Sequence, residues 1–241
     1  MKIALCLHGY FNSLTDSSSK GIDGYDHIKR HILCKGDVDI FIHSWDIENS
    51  EKIINLYSPK KFIIENLLNF DLTVKERKLD TLRNTPRSPS SVLAHLYSVT
   101  QSIKLAYNHN DYYDIIIKCR FDVGRINRNT TGNIPGNPEP VQCINFITDI
   151  ESEKIYMAEW NHFHMGPADM WFYGDYHTMN CFTTLYDDLN DNFYLNKDYH
   201  YFATSIEGNP GDLSNSIAFY KYWMMKNNLW NRKKTLKTTW E

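Results

Sequence analysis

The sequence predicts an α/β fold with a mainly parallel, twisted sheet flanked by helices. Short apolar runs with the character of strands alternate with segments in which apolar residues recur at helical spacing. The run Ile115–Ile117 is β-branched without interruption, as expected of a central parallel strand that is covered on both faces. Polar turns follow the ends of these runs, which is where open α/β sheets bind their ligands.

The first half of the chain is predicted to contain three strands and two helices. The strand candidates are Lys2–Leu7, Asp37–His43 and Lys61–Glu65. A helix is expected between the first two, where Tyr25, Ile28 and Ile32 recur at helical spacing. A longer helix begins after Ser88 as N-cap and Pro89 at its first position. Its apolar face consists of Val92, Leu96, Val99, Ile103 and Ala106.

The second half begins with the strand Tyr113–Cys119, so the order β-α-β-α implies right-handed crossovers. Residues 71–90 and 127–142 are expected to be loops, since they are rich in charged residues or in Asn, Gly and Pro. Asp175 and Asp212 are predicted to cap two further helices. The later strand candidates are Cys143–Ile147, Lys154–Ala158 and Asp169–Tyr173.

Composition limits the class of protein. The 241 residues fit a single domain over 1–241, with the polar, basic segment 231–241 as a flexible tail. A net charge of −3 shows no basic excess, so nucleic acid is not expected as a partner. No stretch approaches the roughly 20 apolar residues of a membrane span. The five widely spaced cysteines form no CxxC pair, which favours reduced thiols in a cytoplasmic protein over zinc or disulfides.

The strongest candidate site is Arg120–Phe121–Asp122, directly after the apolar strand that ends at Cys119. A carboxylate at a strand end can hold a divalent cation, and a guanidinium beside it can bind a phosphate in bidentate fashion. The alternative is a structural Arg–Asp ion pair. The position at the carboxyl end of a central strand favours a role for both residues in binding a nucleoside diphosphate.

Three further turns supply candidate residues. Gly9 and Tyr10 follow the first strand, where a glycine lets the backbone approach a ligand closely. Asp46 follows the second strand, and it is either a hydrogen-bond acceptor for a base or ribose or a capping residue. Asp169 follows a Gly-Pro turn, and it is either a general base for an acceptor hydroxyl or a turn-capping aspartate. His164 could contribute one metal ligand. The nearby sequence offers no third ligand, so a histidine-based zinc site is not expected.

Other catalytic signatures are absent from the sequence. It contains no P-loop, no G-x-G-x-x-G and no G-x-S-x-G motif. This argues against a P-loop kinase, a dinucleotide dehydrogenase and an α/β-hydrolase.

Taken together, these segments resemble a group of small microbial and viral glycosyltransferases with the GT-A type of fold. The resemblance covers roughly residues 1–190 and depends on the order of six short motifs. They are Ile3–Gly9, Asp39–Asp46, Tyr57–Pro59, Tyr97–Ser98, Arg120–Asp122 and Asp169–Gly174. Two positions depart from the pattern, since Asn12 lies near the place of a frequent arginine and Arg120 replaces the first carboxylate of a D-x-D metal motif.

The resemblance implies a metal-assisted enzyme that transfers a sugar from a nucleotide-diphosphate sugar to a hydroxyl of a glycan or glycolipid acceptor. Gly9, Tyr10 and Asp46 would line the nucleotide pocket, with Arg120 assisting at the diphosphate. Asp122 would hold Mn²⁺ or Mg²⁺, and His164 could share in that site. Asp169 would be the base on the acceptor side. Two alternatives stay open: a non-catalytic module that binds sugar nucleotides or glycans, and a sugar nucleotidyltransferase.

Overall fold

One mixed seven-stranded sheet forms the centre of the fold. The structure is a computed structural model, and it describes residues 1–11, 20–71, 73, 88–124, 143–160, 163–188, 197–206 and 216–238. The strands are β1 (Lys2–Gly9), β2 (Asp37–Ser44), β3 (Lys61–Ile64), β4 (Ile115–Arg120), β5 (Ile155–Ala158), β6 (Trp171–Gly174) and β7 (Lys233–Leu236). The predicted α/β class and mainly parallel sheet are confirmed.

The strand order is β3-β2-β1-β4-β6-β5-β7. The pairs β1–β2, β2–β3, β1–β4 and β5–β7 are parallel, whereas β6 runs antiparallel to both β4 and β5. The chain first winds outward from β1 to β3 and then returns to the other side of β1 as β4. This reversal makes the gap between β1 and β4 a topological switch point, the place where open α/β sheets form a ligand crevice.

Helices cover both faces of the sheet. Within the described residues they are α1 (Lys20–His31), α2 (Ser50–Tyr57), α3 (Pro89–Tyr107), α4 (Tyr176–Met179), α5 (Leu185–Asp188), α6 (Lys197–Ser205) and α7 (Ser216–Lys226). The longest helix, α3, begins at Pro89 as predicted, because proline at the first helical position lacks only an N–H that has no intrahelical partner there. Among the described residues, none of these helices combines the length and hydropathy that a membrane crossing requires.

Two apolar cores follow from the alternation of side chains along the strands. On one side, which we call the α3 face, Ala4 and Cys6 of β1 pack in one cluster with residues of α3 and α7. On the other side, the α1 face, Leu5 and Leu7 pack with Ile28 of α1 and with α2. Because β1 is buried on both faces, it is the natural centre of the sheet.

The C-terminal segment corrects one prediction. Residues 231–241 were expected to be a flexible tail, but Lys233–Leu236 forms β7 and pairs along the whole of β5. The edge of β5 needs a partner for its backbone groups, and the lysines of β7 are compatible with an exposed edge strand. The Lys233 ammonium also lies 4.6 Å from the ring centre of Trp230, so its stem covers apolar surface. Residues 239–241 lie outside the described residues.

Two further segments differ from prediction. Cys143–Ile147 is not a strand, because side chains take up its backbone groups: Trp171 Nε1 donates to the Cys143 carbonyl at 3.0 Å, and His27 Nε2 accepts from the Ile144 amide at 3.0 Å. Asp175 caps a helix as predicted, but that helix breaks after Met179 into 3-10 turns and α5. Thr183 and Thr184 bond back to carbonyls in this stretch, which competes with regular helix.

Other predictions cannot be compared with the structure. The loop at 127–142, most of the loop at 71–90 and the capping residue Asp212 lie outside the described residues.

Candidate functional site

A row of polar side chains crosses the carboxyl edge of the parallel strands. His8 of β1 is in register with His43 of β2 on one side and with Arg120 of β4 on the other. Two residues before His8, on the same face of the sheet, Cys6 is in register with Lys118. The α3 face is therefore apolar along most of its length and becomes polar in its last layers. We call His43, His8 and Arg120 the polar row.

Arg120 joins the two carboxylates that the sequence singled out. Its Nε and Nη2 donate to the two oxygens of Asp122 at 2.8 and 2.7 Å, and its Nη1 donates to Asp169 Oδ1 at 3.3 Å. Burial by itself would lower the pKa of the Arg120 guanidinium, but the two carboxylates raise it above its ordinary value. The fold explains the meeting, because β6 runs antiparallel to β4 and so begins where β4 ends. The Arg120 amide accordingly donates to the Met170 carbonyl at 3.0 Å.

Helices α3 and α7 complete the surroundings of Asp169. Ser216 Oγ donates to Asp169 Oδ2 at 3.5 Å, and His95 Nε2 lies 3.7 Å from the same oxygen. His95 Nε2 also lies 3.1 Å from the hydroxyl of Tyr220. The carboxylate of Asp169 is thus oriented by groups from β4 and from both helices of the α3 face.

Lys118 is a buried cation that sequence reasoning missed. Its side chain is fully buried, and its ammonium donates to the backbone carbonyl of Asp169. The ammonium also lies 4.7 Å from the ring centre of Phe172 and 5.6 Å from that of Tyr220. Burial lowers the pKa of Lys118 to about 7. A lysine inside the run Ile115–Cys119 was the available signal, since lysine is rarely buried without a partner.

His8 is the second residue that was passed over. It is 1% exposed, and among the described residues neither of its ring nitrogens has a hydrogen-bond partner. Its ring meets the ring of His95 edge-on, with centres 5.2 Å apart. Burial, and after it the neighbouring charges of Lys118, His95 and Arg120, lower the pKa of His8, so the ring is neutral. A buried polar group without a partner is costly and needs an explanation.

At the other end of the polar row, both ring nitrogens of His43 have hydrogen-bond partners, and we call the chain Ser98–His43–Glu65 the relay. His43 Nε2 lies 3.1 Å from Glu65 Oε1, and its Nδ1 lies 2.8 Å from Ser98 Oγ. The order of contacts is that of a serine–histidine–carboxylate triad. Ser98 is fully buried, however, and its oxygen accepts the amide of Gly9 at 3.0 Å. The relay therefore holds the turn after β1 in place, and no substrate can reach the hydroxyl as it stands.

The predicted nucleotide residues lie at this same edge. Gly9 has a φ of 96°, a conformation that favours glycine, and a Cβ built there would meet no atom of the described residues within 4 Å. Asp46 is held by Asn49 Nδ2 at 2.8 Å, and burial, followed by the charge of Asp46, raises the pKa of half-buried Tyr10. Next to Asp46, Trp45 is buried and its ring stacks on that of Tyr97.

The predicted metal ligands do not fit a divalent cation. Both oxygens of Asp122 are held by Arg120, and the guanidinium lies between Asp122 and Asp169. His164 is exposed, and its backbone carbonyl accepts the ammonium of Lys221 at 2.5 Å. Within the part of the chain that the structure describes, the one group of three suitable side chains with ligand atoms within 4.8 Å of one another is at the opposite edge of the sheet. It consists of Asp39, His109 and Asp111.

Comparison with known proteins adds no assignment. The chain matches no protein-family model, and a search of curated proteins finds no significant match.

Proposed function

We propose that this chain is a glycosyltransferase that moves a sugar from a nucleotide-diphosphate sugar to a hydroxyl of a glycan or glycolipid acceptor. One observation carries the proposal: candidate residues from four separate segments meet at the carboxyl edge of the sheet, beside the switch point between β1 and β4. Ligands of open α/β sheets bind at this place. The residues are Gly9, Asp46, Arg120 and Asp169.

The donor would lie across the ends of β1, β2 and β4. No described atom lies within 4 Å of a Cβ built on Gly9, so a nucleotide could approach the backbone there, and Asp46, although only 8% exposed, would supply an acceptor for a base or ribose. Arg120, whose side chain is 33% exposed, would contact the diphosphate. Guanidinium groups bind phosphate oxygens in bidentate fashion, which fixes the direction of the leaving group as well as its charge.

The acceptor would meet Asp169. Its side chain is 16% exposed, and Arg120, Ser216 and His95 orient it. In an inverting transfer the acceptor oxygen attacks the anomeric carbon and the bond from that carbon to the diphosphate breaks. The proton of the acceptor hydroxyl passes to Asp169, and the electron pair of the broken bond stays on the diphosphate oxygen.

A non-catalytic binding module is the competing function. The observation in its favour is that Arg120 engages both carboxylates, an arrangement that also serves a purely structural network. In either case we infer a reducing, cytoplasmic setting, because all five cysteines are free.

The test is a screen of sugar nucleotides with mixed glycan and glycolipid acceptors, scored by release of the nucleotide diphosphate. Asp169→Asn is expected to lower kcat by about 100-fold or more, because a positioned base contributes on that order, while donor affinity changes little. The control is Asp187→Asn, an exposed carboxylate paired with Lys104 at 2.8 Å, which should keep full activity.

One result would contradict the proposed activity, and another would contradict only the role of Asp169. Binding of a sugar nucleotide without turnover by any acceptor or by water would favour the binding module. Full activity of the Asp169→Asn variant would remove Asp169 from the chemistry.

A further inference from the structure

The side chains around Arg120 do not offer the ligands that a divalent cation needs. Mn²⁺ and Mg²⁺ prefer several oxygen ligands around one point. Here two carboxylates of the described residues, those of Asp122 and Asp169, converge on the guanidinium of Arg120. Lys118 adds a second basic side chain directly beneath, bonded to the backbone of Asp169. A metal ion would have to displace Arg120 and would then lie beside a buried amine.

The guanidinium of Arg120 is only partly used. It has five N–H groups, and three of them bond to Asp122 and Asp169. One of the two that are left belongs to Nη1 and the other to Nη2, so each terminal nitrogen keeps one donor for a phosphate oxygen. Because Asp122 holds the edge formed by Nε and Nη2 at 2.8 and 2.7 Å, the orientation of the guanidinium is set before any ligand binds.

The burial of His8 is a second, independent indication of a ligand beside Arg120. It is in register with Arg120, it is 1% exposed, and neither ring nitrogen has a partner among the described residues. A buried imidazole without partners is stabilised when a ligand atom or an ordered water bonds to it. Around it lie His95, Lys118 and Arg120, all of them basic groups. The surroundings of His8 therefore suit an anion or its hydration shell.

We propose that Arg120, oriented by Asp122, neutralises the donor diphosphate in place of a divalent cation, and that transfer by this protein does not require a metal. This inference rests on the proposed function. When the bond between the anomeric carbon and the diphosphate oxygen breaks, the electron pair remains on that oxygen. The two remaining N–H groups of Arg120 donate to the developing charge. Asp122 is then a positioning residue for Arg120 and not a metal ligand.

The first experiment uses the unmodified protein. Calorimetry measures the affinities for the diphosphates of uridine, guanosine, thymidine, cytidine and adenosine, once in EDTA and once with Mn²⁺. The diphosphate that binds is expected to bind within about twofold under both conditions, since no phosphate contact depends on the ion. Binding in Mn²⁺ that disappears in EDTA would overturn this inference and leave the proposed function intact. Failure of all five to bind under either condition would overturn the proposed function itself.

Variants identify the group that holds the diphosphate. Arg120→Lys keeps the charge but loses the planar fork, and it is expected to weaken diphosphate affinity about tenfold or more, with a smaller loss for the monophosphate. Arg232→Ala is the matched control: Arg232 is 30% exposed, lies 3.9 Å from Glu153 and precedes β7, so both affinities should be unchanged. Equal losses for diphosphate and monophosphate in Arg120→Lys would contradict a diphosphate contact.

Asp122→Asn separates positioning from metal binding. If Asp122 only orients Arg120, the variant should lose a few-fold in diphosphate affinity, by the same factor in EDTA and in Mn²⁺, because the asparagine still accepts one hydrogen bond. Electron paramagnetic resonance of added Mn²⁺ should show no stoichiometric binding to the wild type. Stoichiometric Mn²⁺ binding that Asp122→Asn abolishes would overturn the inference.

Discussion

The two edges of the sheet carry charged networks of similar size but of opposite character. At the amino edge, Lys2 lies 2.5 Å from Asp111 and 3.4 Å from Asp39, and Lys60 lies 3.3 Å from Asp39. Tyr113 donates to Asp39 as well, at 2.9 Å. Oppositely charged groups are thus paired at this edge. Such networks are ordinary at protein surfaces and contribute little to stability.

The carboxyl edge combines burial with incomplete pairing. Lys118 is fully buried, and His8 is buried with neither ring nitrogen bonded to any described residue, beside an Arg120 that holds two carboxylates. Groups of this kind reduce stability, and proteins tolerate them mainly where function requires them. The burial of polar groups therefore identifies the candidate site better than the number of charged groups does.

At the amino edge, three side chains with suitable ligand atoms lie close together, but lysines compete for them. Asp39, His109 and Asp111 lie close enough to surround a cation. Two lysine ammonium groups, those of Lys2 and Lys60, already occupy the same carboxylates. A divalent ion would have to compete with both.

The largest loss of stability is expected when Ser98, which supports the carboxyl edge, is replaced. Replacing it by alanine removes the partner of the half-buried Gly9 amide and of the fully buried His43 Nδ1. Since each unsatisfied buried group costs about 1–3 kcal/mol, Ser98→Ala should lower the free energy of unfolding by about 3 kcal/mol in urea titrations. Ser102→Ala is the control on the same helix. Ser102 is also buried but donates only to the Val99 carbonyl of its own helix, so about 1 kcal/mol is expected.

Equal losses in the two serine variants would show that the relay at the end of β2 does not stabilise the carboxyl edge.

The buried amine of Lys118 is expected to have an intermediate effect on the free energy of unfolding. The pKa of Lys118 is about 7 in the folded protein and 10.5 as the ordinary value, so between these pH values the unfolded chain binds the extra proton. Stability attributable to Lys118 therefore rises as pH rises through this window, by about 2 kcal/mol between pH 7 and pH 9. Lys118→Met should lack this rise in urea titrations at the two pH values. Lys104→Met, an exposed lysine, should keep it.

If Lys118→Met shows the same pH dependence as the wild type, the ammonium is not desolvated as the structure indicates.

The smallest effect is expected at the amino edge. Asp111→Ala breaks the contacts to Lys2 and His109, at 2.5 and 3.4 Å, but all three groups are accessible to water. The unfolding curve should nearly superimpose on that of the wild type, and 1 M salt should remove any difference that is left. A loss as large as that of Ser98→Ala would show that exposure does not separate the two edges.

Local patterns predicted β1 to β6 and the long helices along the chain, although not β7, and they singled out most of the candidate residues. Apolar periodicity is a local property, so β1, β2, β4 and α3 could be predicted from short windows. The polar turns after those strands could be placed at one edge because parallel strands share their carboxyl ends. Arg120 and Asp122 followed from this rule alone.

Which of these residues are in contact, and which are buried, depends on the tertiary structure. Asp169 is 49 residues from Arg120, and the antiparallel course of β6 brings them together. The burial of His8 and Lys118 depends on α3 and α7 packing over the ends of β1 and β4, and the pairing of β7 depends on the open edge of β5. Strand order, register and desolvation are long-range properties, and for that reason a guanidinium bound to two carboxylates could not be distinguished from a metal site in the sequence.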